Sequence, residues 1–106
     1  MFSVTGRTEE RKYLAIDVRV ISLERRDLVD FGITQNVSSL GLQALFGKRW
    51  MQNEPVLIES PPGNIRSRGW VVYCRPVGGG QFTVGLRLLT PQPMWAQLIG
   101  EKRFAG

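Results

Sequence analysis

The feature that most limits how this chain can fold is an apolar alternation of period two, cut into short segments by glycine and proline. In Leu14-Ala15-Ile16-Asp17-Val18-Arg19-Val20, the residues Leu14, Ile16, Val18 and Val20 share one face of an extended strand. A helix would scatter the same four around its circumference. Phe82, Val84, Leu86 and Leu88 repeat the pattern near the other end. Trp70-Val71-Val72-Tyr73-Cys74 is β-branched and aromatic, and Val56-Leu57-Ile58 is apolar throughout, so both read as strands. Segments Asp30–Asn36 and Gly41–Phe46 complete six short strands. Ser60-Pro61-Pro62-Gly63-Asn64 and Gly78-Gly79-Gly80 read as turns, the first with Pro62 fixing φ and Gly63 at positive φ. Spacing this regular predicts an all-β fold, a small antiparallel barrel or sandwich. The last stretch differs: Pro93 suits a first helical turn, and Trp95, Leu98 and Ile99 fall at i, i+3 and i+4. A short C-terminal helix closing one end of the barrel is expected.

A chain of 106 residues, 42% of them hydrophobic, fits one domain that buries a core without staples. Within it we expect a flexible leader over 1–12, the barrel over 13–90, and the helix and tail over 91–106. Histidine is absent, which excludes Ser-His-Asp and Cys-His catalysis and the commonest transition-metal ligand. Cys74, the only cysteine, can neither close an intramolecular disulfide nor build a cysteine-rich zinc site. The nine carboxylates show no catalytic or metal-binding spacing. A binding protein is therefore expected rather than an enzyme, with no metal or cofactor. No apolar run approaches the ~18 residues of a membrane span, and the start lacks a basic-then-apolar signal segment. With a lone thiol, which suits a reducing compartment, the expected location is cytoplasmic.

The net charge of +5 points to an anionic partner. Eleven arginines stand against three lysines, and the guanidinium fork grips phosphate and a guanine edge bidentately where an ammonium cannot. A coding bias would enrich arginine equally well. Two features single themselves out. Arg7 and Arg11 lie four residues apart just before the first strand. Alone, such a pair is common in so arginine-rich a chain and reads as a solvated basic turn. Asn36-Val37-Ser38-Ser39-Leu40-Gly41 is a rarer pattern, an Asn-x-Ser-x-x-Gly turn between two strands. Its structural reading is that Asn and Ser bond their own backbone while Gly supplies a positive φ.

Taken together, with 24 residues between Arg11 and Asn36, the two features resemble the two-part signature of the PilZ domain, a bacterial receptor domain for cyclic di-GMP. The likeness extends over about residues 7 to 99 and includes Val18-Arg19-Val20, Gly69-Trp70-Val71-Val72 and Val84-Gly85-Leu86-Arg87-Leu88. It implies a PilZ-like split barrel of six antiparallel strands with a short C-terminal helix. It also implies that Arg7, Arg11, Asn36, Ser38 and Gly41 bind cyclic di-GMP, and that ligand capture by the leader switches the surface shown to a downstream protein partner or fused effector domain. The chemistry is consistent: guanidinium bonds guanine O6 and N7, pairs with phosphate and stacks on purines. Asn36 and Ser38 alternate onto one strand face, and Gly41 admits close approach. Glu9 and Glu10, between the arginines, must point away from a phosphate or pair with an arginine.

The remaining candidates read as structural. Arg66, Arg68, Arg75 and Arg87 suit a solvated strand face, Trp50, Trp70 and Trp95 suit the core, and Cys74 suits an inert strand position. Two other functions fit the same residues. One is a ligand-independent interaction module of the same fold. The other is a small basic barrel binding single-stranded nucleic acid, which ranks lower.

Overall fold

The computed structural model of the protein describes residues 13–61 and 65–92. The leader with Arg7 and Arg11, the Pro62–Gly63 turn and the helix expected from Pro93 lie outside the described residues. Six antiparallel strands form a closed barrel: β1 (Asp17–Ser22), β2 (Val29–Ser38), β3 (Gly41–Phe46), β4 (Pro55–Ser60), β5 (Ile65–Gly78) and β6 (Gln81–Leu88). The order around the barrel is β1-β2-β3-β6-β5-β4, closed by pairing of β1 with β4. No α-helix occurs among the described residues, and no helix there is long and apolar enough to cross a membrane.

The inward positions follow the period-two reading. Ile16, Val18 and Val20 meet Val56, Ile58, Val71, Val84, Leu86 and Leu88 in one core, with Leu14 and Phe82 packed at its margin. Strand β2 departs from it, because its alternate apolar residues Phe31 and Ile33 face outwards at 68% and 51% exposure. Its inward positions are Asp30, Gly32 and Thr34, and each is accounted for. Phe46, fully buried, packs its ring against Gly32 where a β-carbon would otherwise sit. The Thr34 hydroxyl donates to the Leu14 carbonyl and accepts from Ile16 N at 2.8 Å. The Asp30 carboxylate accepts from Lys48 N (2.8 Å) and from Trp50 Nε1 (3.1 Å), tying the β3–β4 loop to the barrel. Gln35 is then an extra residue opposite β3, between the pairs Thr34–Ala44 and Asn36–Gln43. This bulge turns Val37 inwards and Asn36 and Ser38 outwards.

A second polar anchor joins the loops at the ends of β1 and β3. Glu54, nearly inaccessible, accepts from Ser22 Oγ (2.6 Å), Met51 N (3.1 Å) and Arg25, whose Nε and Nη2 reach its two oxygens at 2.8 and 2.7 Å. Arg25 also lies over the Trp50 ring, 5.7 Å from its centroid. Burial pushes the Glu54 carboxyl up, but the bonds from Arg25, Ser22 and Met51 N, together with the Arg25 charge, outweigh it and hold the pKa below its ordinary value. At the far end of β5, Gly79 and Gly80 form a two-residue loop between the paired Gly78 and Gln81, with φ of 63° and 75°. Positive φ at both central residues is the hairpin turn glycine favours.

Candidate functional site

The Asn36–Gly41 segment is a turn between two strands, as its pattern suggests, and forms the tip of the β2–β3 hairpin. Asn36, Val37 and Ser38 are the last residues of β2, Gly41 is the first of β3, and only Ser39 and Leu40 lie between them. Ser38 pairs with Gly41, Gly41 with Arg87 and Arg87 with Trp70. One step along, Asn36 pairs with Gln43, Gln43 with Gly85 and Gly85 with Tyr73. These are two parallel rows on the outer face of β2, β3, β6 and β5. The structure thus brings Asn36, Ser38 and Gly41 together, on one outward face, as the alternation requires.

Each has a local reason to be there. The Ser38 hydroxyl accepts from Leu40 N at 3.4 Å and donates to the Gly41 carbonyl at 3.3 Å, bracing the turn. It is buried at 3% exposure. Asn36 donates through Nδ2 to Gln43 Oε1 (2.8 Å), Gln43 Nε2 donates to Thr83 Oγ1 (3.0 Å), and Thr83 Oγ1 donates to Gln35 Oε1 (2.7 Å). This chain of bonds fixes the amide planes across three strands and uses the bulge residue as its end. Gly41 is not at positive φ, contrary to the turn reading. Its requirement is close approach: a β-carbon there would stand 2.5 Å from the Leu86 carbonyl oxygen. The hairpin tip is also tied from the β6 side, by Leu88 N to Leu40 O (2.8 Å) and Gln92 N to Ser39 O (2.7 Å).

Beside this hairpin lies a shallow hollow lined by Gly41, Val72, Tyr73, Gly85 and Arg87. The Tyr73 ring lies on Gly85, in space that a β-carbon would fill. Arg75 lies over the same ring, its guanidinium 4.5 Å from the centroid. An aromatic ring and a half-buried guanidinium border a hollow floored by two buried glycines, an arrangement able to take a flat ring and an anionic group together. Gln43, Tyr73 and the alignment of Arg87 with Gly41 were not singled out from sequence. The available signal was period two: Gln43 is two residues beyond Gly41, and Gly85 and Arg87 alternate on β6. What was not readable was which strands neighbour one another.

Two expectations about aromatics divide. Trp50 is in the core at 2% exposure, whereas Trp70 is on the outer face at 37%. Inward positions of β5 are taken by Ile65, Ser67, Gly69 and Val71, which sets Trp70 outside. Cys74 is partly buried against the core, where its sulfur accepts from Trp50 N at 3.3 Å. Among the described residues, no group of three or more His, Cys, Asp or Glu side chains is arranged to hold a metal ion. No protein-family model matches the chain, and no curated protein does.

Proposed function

We propose that the chain is a PilZ-like receptor that binds cyclic di-GMP on the outer face of the β2–β3 hairpin and acts as a ligand-dependent switch. The observation that carries this reading is the clustering of Asn36, Ser38 and Gly41, all three little exposed, on the side of the sheet away from the core and beside the hollow bordered by Tyr73 and Arg87. In the proposal Arg7 and Arg11 supply guanidinium to guanine O6 and N7 and to phosphate, while the Asn36 amide bonds ligand from the strand. Gly41 leaves room for the ligand backbone. Ser38 acts mainly through the turn it braces, so its hydroxyl matters less than either arginine. Capture by Arg7 and Arg11 would draw residues 1–12 onto the barrel and alter the surface offered to a downstream partner, a change of order rather than of chemistry.

Isothermal titration with cyclic di-GMP, using GTP and cyclic di-AMP as controls, tests this directly. Selective, saturable binding at about 10 µM or tighter is the expected result. Arg7→Ala or Arg11→Ala should weaken it at least about tenfold, and Ser38→Ala by less. Absence of heat, confirmed by a second binding method, would remove the receptor role and leave the interaction-module reading of the same barrel.

A further inference from the structure

We infer that the outer face of β5, with Arg87 of β6 beside it, is a binding strip for single-stranded nucleic acid, which shares Tyr73 and Arg87 with the hollow assigned to cyclic di-GMP but extends beyond it to Arg66, Arg68 and Trp70. Residues 65–92 hold Arg66, Arg68, Arg75 and Arg87 and not one carboxylate, so most of the chain's +5 charge is concentrated on this hairpin. Along β5 the outward side chains run Arg66, Arg68, Trp70, Tyr73 and Arg75, with a bulge at Val72 that keeps Trp70 and Tyr73 on the same face. Alternate residues of a strand lie about 6.6 Å apart, which spaces Arg66, Arg68 and Trp70 on one side of the bulge and Tyr73 and Arg75 on the other. Arg87 pairs across to Trp70 and extends the charge sideways. The carboxylate bordering the strip, Glu59, is already bound by Arg19 and Arg66. The Arg68 guanidinium makes no ion pair among the described residues.

This composition suits extended nucleic acid better than an acidic protein segment. The Trp70 indole, 37% exposed, offers a stacking face that any base can use, while the Tyr73 ring, packed on Gly85, carries the Arg75 guanidinium; arginine both pairs with phosphate and stacks. A duplex would hide its bases from the indole. Single strands present phosphates and unstacked bases together, so the two kinds of side chain act on one ligand.

The test is fluorescence anisotropy of labelled oligothymidylate of about 15 nucleotides at about 50 mM salt, repeated as salt is raised. The expected result is saturable binding, with a log–log salt slope of about −2 to −3 from three or four phosphate contacts. Trp70→Ala should weaken binding about tenfold with much of the salt slope retained, and Trp70→Phe should restore most of it. Arg68→Ala should weaken binding and flatten the slope by about 0.7, while leaving the heat of cyclic di-GMP titration unchanged. Equal affinity for duplex DNA or for polyglutamate would overturn the inference, as would indifference to Trp70→Ala or no binding at low salt. Cyclic di-GMP binding is decided separately by the titration above, run without oligonucleotide because the two ligands would share Tyr73 and Arg87.

Discussion

Glu54 has traded water for Ser22, Met51 N and a two-point contact with Arg25, and its chemistry follows from that exchange. Its carboxyl is held below the ordinary range in the folded protein, so the unfolded chain binds the proton more readily. Stability from this group is therefore complete above the unfolded value of about 4.3 and is lost as pH falls below it. Thermal unfolding midpoints measured from about pH 6 down to pH 3 should drop, and Glu54→Gln should flatten that drop. The same variant should cost about 1–3 kcal/mol at neutral pH, at the modest end because Arg25 is partly exposed and screened. A second residue-scale test concerns Gly85. Gly85→Val must displace the Tyr73 ring, so it should remove the hollow's aromatic wall and weaken cyclic di-GMP binding while near-UV circular dichroism reports the ring's movement.

At the scale of elements, most strands were legible because their neighbours leave one face wet and one dry. β1 carries its buried residues at the alternate positions expected, and β3 begins and ends as expected; β6 puts Val84, Leu86 and Leu88 in the core as expected, but Phe82 is only partly buried and Thr83 and Gly85 are buried too. β2 was legible as a strand but not in its facing. Its apolar side chains alternate on the wrong side, and only the Phe46 ring over Gly32, the bonds of Asp30 and Thr34, and the bulge at Gln35 explain why. All three depend on residues distant in sequence. The Asn36–Gly41 pattern was readable, and so was the shared face of Asn36 and Ser38. The company it keeps, Tyr73 and Arg87, needed the order of strands around the barrel. β5 was placed but underestimated, since an outward Trp70 in mid-strand looks the same in sequence as an inward one. The β5–β6 turn gives a prediction of its own. Both Gly79 and Gly80 sit at positive φ, and asparagine tolerates the first such position, so Gly79→Asn should stabilise the hairpin by about 0.5 kcal/mol in urea titration.

For the whole molecule the ruling fact is that β1 pairs with β4 and β3 with β6, so the barrel closes through partners remote in the chain. Those pairings must form against loop-closure entropy, and refolding followed by stopped-flow tryptophan fluorescence should fall in the millisecond-to-second range rather than microseconds. Unfolding should be a single transition by fluorescence and far-UV dichroism alike, because one core serves all six strands. Closure also decides what kind of conversation this protein can hold. A sheet with a free margin can welcome a foreign strand through its main chain, a bond that any sequence can make. Here each strand has a neighbour on both sides around the ring, so recognition of a guest falls chiefly to the outward side chains. Selectivity is thereby confined to residues that barely touch the core, so a descendant of this protein can change what it answers to without relearning how to fold.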